Sequence, residues 1–130
     1  MIYILLNIVP IAVATLLGLA IGAGWLAALR LPRPGWGSLA GIALAEFWLA
    51  AILAGALILA PREASAWVMA LGSAVVIWIG FVVPVLGVSF AALGIGRGRM
   101  VAAMVYWLAV MLGQAALMQA MGLVPPPGAA

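Results

Sequence analysis

The sequence predicts an all-α protein, an antiparallel four-helix transmembrane bundle with short loops. Three observations lead there. Of its 130 residues, 70% are hydrophobic and 5% charged, with a mean hydropathy of +1.42, whereas a soluble domain carries roughly a quarter charged residues. The charges number seven, Arg30, Arg33, Glu46, Arg62, Glu63, Arg97 and Arg99, too few to cover a globule in water. Four apolar runs, at about 2–29, 38–60, 64–93 and 100–122, each exceed the ~20 residues that a helix needs to cross hydrocarbon. Buried strands run only ~4–8 residues, and in lipid a helix satisfies its backbone within one span.

Each element follows in order. The first run, Ile2 to Leu29, contains Pro10, which a lipid-embedded helix tolerates as a kink. It lacks a basic leading stretch and is too long for a cleaved signal peptide, so it is expected to remain a helix of the mature protein. Arg30-Leu-Pro-Arg-Pro-Gly-Trp-Gly37 then turns the chain with two prolines and two glycines. Ser38 is expected to cap the second helix, which Pro61 ends. Arg62-Glu63-Ala64-Ser65 makes a very short link, and the third helix carries a second internal proline, Pro84. Gly94-Ile-Gly-Arg-Gly-Arg99 is the third turn. Residues 124–130 form a Pro-rich tail expected to be extended and polyproline-like. Loops this short make sequential helices antiparallel neighbours.

Arginine placement orients the bundle. The first and third loops hold Arg30, Arg33, Arg97 and Arg99, the second only Arg62, and the termini none. Positive residues stay on the cytoplasmic side, which predicts a multi-pass protein of a bacterial inner membrane with both termini periplasmic. The same four arginines are candidates for lipid headgroups, at ~1 kcal/mol each. The pI near 10.8 comes from five arginines against two acids and not from a basic face, so no nucleic-acid partner is expected.

Absences narrow the chemistry. Without Cys, His, Lys or Asp, the chain lacks thiolate nucleophiles, the commonest general base and the usual zinc ligands. No enzymatic activity, metal or cofactor is expected. Gly94–Arg99 superficially resembles a phosphate loop but lacks its strand, Lys and Ser/Thr.

Glu46 is the main candidate site. Counted from Ser38 it lies ~12 Å below the cytoplasmic end, where an ionised group costs ~2.5–3.5 kcal/mol. Such a carboxyl faces the interior, finds a partner or stays protonated. Tyr106, Trp107, Gly22, Gly24 and Pro84 count to a similar depth, so Glu46 is expected to contact Tyr106 or a carbonyl freed by Pro84. One reading is a proton or cation relay; the other, preferred for want of a second intramembrane charge, is packing by a neutral carboxyl. Glu63 lies beyond the far helix end and reads as solvated loop.

The fourth helix carries a seam, Met100, Met104, Trp107, Met111, Gln114, Met118 and Met121, in alternating steps of four and three. A thioether path for Cu(I) is one reading, but residues a heptad apart stand ~10 Å apart along the axis. Flexible Met filling an irregular interface explains the seam better, and Met104, Trp107, Met111, Gln114 and Met118 form a candidate packing or partner face. Small residues recur four apart, Ala14, Gly18 and Gly22 in the first helix and Ala66, Ala70 and Ala74 in the third, allowing close backbone approach. Asn7 and Gln114 are expected to bond across helices one and four. Trp25, Trp36 and Trp67 suit an interfacial belt, and Trp48 and Trp78 are expected to pack inside or against a partner.

Asn7 to Leu29 with its Gly-rich end and Trp25, Trp78-Ile-Gly-Phe-Val-Val-Pro-Val-Leu86, and Gly96-Arg-Gly-Arg99 together resemble the bacterial four-span membrane proteins of the domain-of-unknown-function family 1761. The resemblance implies the same architecture and brings no activity or site residues. The expected function is an interaction or accessory subunit of a membrane complex, with other subunits or itself as partner in the lipid bilayer. The alternative is a small proton- or cation-coupled transporter or channel using Glu46.

Overall fold

Uninterrupted apolar runs with few β-branched clusters and prolines only at tolerated points fold here as long helices. The computed structural model describes residues 2–61 and 63–128, and every regular element among the described residues is helical. In chain order these are α1 (Ile2–Leu6), α2 (Ile8–Ala28), α3 (Trp36–Leu59), α4 (Ala66–Ile77), one π-helical turn (Trp78–Val82), α5 (Val83–Ala92) and α6 (Arg97–Met121). Four helices are long and apolar enough to cross a membrane: α2, α3, the continuous Ala66–Ala92 segment and α6. The chain is a multi-pass membrane protein by that criterion. Large apolar side chains such as Leu16, Leu44, Val76 and Phe81 are exposed on the outside, as hydrocarbon solvent permits.

α2 packs chiefly on α6 and then on α3, and α4 packs on α6, so the four spans close into a bundle. The core is built from Ile11 and Ala14 of α2, Ala50, Ala51, Leu53 and Ala54 of α3, Ala74 of α4, and Met111, Ala115 and Met118 of α6. Most of these are small, which brings the backbones close, as van der Waals packing in lipid requires.

Helix ends differ from the sequence expectation. α3 starts at Trp36, two residues before Ser38, with extended Gly35 as its cap and Leu39 N–H bonding the Gly35 carbonyl at 2.9 Å. Ser38 therefore sits inside the first turn and caps nothing. α6 starts at Arg97 and not at Met100, because Gly96 adopts the extended cap conformation and its carbonyl accepts from Arg99 and Met100 at 3.1 and 3.2 Å. Arg97 and Arg99 ride on the first helical turn. The third span begins at Ala66, capped by Ser65 Oγ accepting from Val68 N–H at 3.4 Å. Of the link expected at 62–65, Arg62 lies outside the described residues and Glu63 is exposed.

Both interior prolines leave a mark. The first helix, expected to be continuous, breaks at Asn7 just ahead of Pro10, whose ring cannot donate to the Leu6 carbonyl. Ahead of Pro84 the backbone widens into the π turn, with Val83 N–H reaching the Trp78 carbonyl, a recognised way to absorb a missing donor.

Two loops open identically. After α2, Arg30 N–H bonds the Ala27 carbonyl at 3.1 Å and Leu31 N–H the Leu26 carbonyl at 2.9 Å, the Schellman pattern. After α5, Gly94 and Ile95 repeat it on Ala91 and Phe90 at 3.2 and 2.9 Å. Gly94 takes the required left-handed φ of 66° without cost, while Arg30 holds 52° with a full side chain. At the other end, buried Asn7 uses both ends of its amide on one residue of the tail. Nδ2 donates to the Val124 carbonyl at 2.8 Å and Oδ1 accepts from Val124 N–H at 2.7 Å.

Candidate functional site

Glu46 is the eleventh of the 24 residues of α3, ~15 Å from Trp36 and so near mid-membrane, deeper than a start at Ser38 implied. Its face of α3 continues through Ala50, Leu53 and Ala54, all buried, and Glu46 itself is 1% exposed. Tyr106 Oη donates to Glu46 Oε1 at 3.4 Å, and Gln114 Nε2 donates to Glu46 Oε2 at 3.0 Å. Tyr106 and Gln114 stand two helical turns apart on α6, with buried Val110 between them, and their side chains converge on one carboxyl. Gln114 Nε2 also donates to the Ala14 carbonyl at 3.3 Å, so one amide ties three spans together. Gln114 Oε1 is buried without a hydrogen-bond partner.

α2 makes room for this group by having no side chain where it matters. A Cβ at Gly18 would run into Glu46 Oε2 and lie 2.9 Å from Gln114 Nε2. A Cβ at Gly22 would lie 3.0 Å from Tyr106 Oη. Ala14, Gly18 and Gly22 thus oppose Gln114, Glu46 and Tyr106 in that order, and the small-residue stripe of α2 receives the polar groups. Trp25, one turn further, packs on Tyr106 with its ring tilted by 46° at 5.6 Å between centroids, and Tyr106 meets Trp107 edge-on at 5.1 Å.

Glu46 is more than a buried contact, because it also lines a cleft of about 960 Å³. The cleft is walled by α2 and α3 with Tyr106 and Trp107 of α6, and it extends to Leu31, Arg33 and Pro34 of the first loop. It falls within the 300–1,000 Å³ typical of small-molecule sites, which are likewise mostly apolar with few placed polar groups. Chemically, the inner end offers a carboxyl that can release a proton or hold a cation, and a phenol and an amide that hydrogen-bond it.

The remaining candidates separate into two sets. Met111, Gln114 and Met118 are fully buried and Met104 and Trp107 partly so, so the inner part of the α6 seam serves the chain's own packing. Arg30, Arg33, Arg97 and Arg99 are exposed. Asn7 and Gln114 each bridge the first span to α6 or its tail, but not to each other. Glu46 finds Tyr106 and Gln114 in place of a carbonyl freed by Pro84. Trp78 turns inward, its indole N–H on the Met104 carbonyl at 2.8 Å. Trp48, expected to pack inside or against a partner, does not pack inside: it is 50% exposed, because it lies opposite the face of α3 that carries Glu46. Trp25 belongs to the site as well as to the membrane interface. Among the described residues no cluster of His, Cys, Asp or Glu could hold a metal ion.

Sequence reasoning missed the Glu46–Gln114 bond and the role of Gly18. The available signal was that Gln114, unlike Gln119, the other amide of α6, shares a helix face with Tyr106. Comparison of the chain with protein-family models, with curated proteins and with solved structures finds no match in any of the three.

Proposed function

We propose that this protein is a small proton- or cation-coupled transporter of a bacterial inner membrane, with Glu46 as the exchanging group. The observation that carries this reading is that one carboxyl is both buried at mid-membrane and part of the wall of the cleft. Among the described residues no basic side chain answers it: the chain has no Lys or His, Arg30 and Arg33 lie in the first loop, and Arg97 and Arg99 in the first turn of α6. A carboxyl so placed is rare and marks a functional position by default. Gln114 supports both protonation states, since its amide now donates to the carboxylate and, rotated, would offer the idle Oε1 to the acid. With Arg30, Arg33, Arg97 and Arg99 cytoplasmic, the loop end of the cleft faces the cytoplasm and both termini the periplasm. No catalytic activity is assigned.

Interaction or accessory duty is a second reading, and one observation favours it. The Ala66–Ala92 span buries only Ala70 and Ala74, leaving a long face for a second copy or another subunit. Proteoliposomes loaded with a pH-sensitive dye and challenged with a panel of cations and amines discriminate the two. Flux that Glu46→Gln abolishes while the bundle stays folded supports the transporter. Absence of Glu46-dependent flux for every solute, with a partner retained in mild detergent, supports the accessory subunit.

A further inference from the structure

Resting on the transporter reading, we infer that the cleft takes a lipophilic organic monocation, an aromatic or quaternary onium, in exchange for the Glu46 proton. Three features of the cleft converge on this class. It is mostly apolar along its length and of a volume that suits a compact multi-ring molecule. Its inner end is lined by Tyr106 and Trp107, with Trp25 tilted against Tyr106, and aromatic faces attract cations that have lost their water. Its one anionic group, Glu46, lacks a cationic partner among the described residues, and in hydrocarbon such a charge is tolerated only with a proton or a counter-ion. A small hydrated metal ion would find only one carboxyl and two weak donors there, far short of the six or more oxygens a hard cation takes. An anion would meet the carboxylate. Arg33, on the loop, is exposed and separated from Glu46 by most of the ~15 Å between Trp36 and Glu46, so water screens its charge.

The exchange balances simply. The carboxyl releases one proton to water as the cation seats, and the cation leaves when the proton returns. Among the described residues the only titratable group facing Glu46 is Tyr106 of α6; α2 presents Gly18 and Gly22, and the Ala66–Ala92 span contains no ionisable side chain. Affinity for the cation therefore falls about tenfold per pH unit on the acid side of the Glu46 titration, one proton competing with one cation.

The test uses the full chain in detergent, tetraphenylphosphonium as probe, and tetraphenylborate as a control of matching shape and opposite charge. Tryptophan quenching and calorimetry are expected to show tetraphenylphosphonium binding at least ~10-fold tighter than tetraphenylborate, with the acid-side pH slope above. Glu46→Gln removes at least ~10-fold of that affinity and the slope with it, and Trp107→Leu weakens binding ~3- to 10-fold without changing the slope. Circular dichroism of each variant controls for folding. Equal binding of the two probes, or unchanged tetraphenylphosphonium affinity in folded Glu46→Gln, overturns the inference. If that happens while another solute still shows Glu46-dependent flux, the transporter reading survives and only the substrate class is lost.

Discussion

The Ala66–Ala92 span and the other three differ in what they contribute. α2, α3 and α6 each bury a row of side chains and meet at Glu46, where small residues on one helix oppose polar residues on another. The third span fully buries two alanines, packs along α6, and makes one side-chain hydrogen bond to it, Trp78 to the Met104 carbonyl. It also contains the π turn and Pro84. Irregular backbone is thus placed on the span with the fewest fully buried side chains, away from the carboxyl. The site is a three-helix device, with the third span as a buttress.

Glycines break or sharpen that contrast most strongly. Gly18→Ala is expected to cost ~2–3 kcal/mol, since its Cβ must displace a doubly hydrogen-bonded carboxyl. Gly72→Ala, where nothing lies within 4 Å, is expected to be neutral or to stabilise by up to ~1 kcal/mol through helix propensity. Unfolding by sodium dodecyl sulfate in mixed micelles measures both, and equal effects would erase the distinction between the two regions. Hydrogen bonds come next. Gln114→Leu leaves Glu46 short of one donor and is expected to cost ~1–3 kcal/mol, against ~1 kcal/mol or less for Trp78→Phe, as interhelical bonds in membranes average ~0.6 kcal/mol. A larger loss from Trp78→Phe would promote the third span from buttress to essential wall. The smallest effect is expected outside both regions: Arg30→Gly should stabilise by ~1 kcal/mol, by relieving a left-handed residue, with no change in cation binding.

The spans were legible because length alone decides them: no strand is twenty residues long. The inward aim of Glu46 was legible from its charge at depth, and Tyr106 from counting. Gln114 was not, since counting from Ser38 and Met100 placed the two residues in opposite halves of the bilayer. Extended Gly35 and Gly96 begin their helices two or three residues sooner, and long side chains close what remains. Trp48 lies outside the core for a simpler reason: the spacing from Glu46 through Ala50 to Leu53 puts it on the opposite face of α3. The π turn had no signature except Pro84, and how a helix absorbs a proline is decided by its neighbours.

The Asn7–Val124 clasp has a consequence for how the polypeptide leaves the bundle. Pro125, Pro126 and Pro127 carry no amide hydrogen, so Val124 is the last residue before them whose N–H needs an acceptor. Asn7 supplies that acceptor and takes up the matching carbonyl, imitating the two bonds of a neighbouring strand. The exit segment therefore leaves α6 with the Val124 N–H and carbonyl both paired, and tension on the C-terminal end is delivered to the head of the first span.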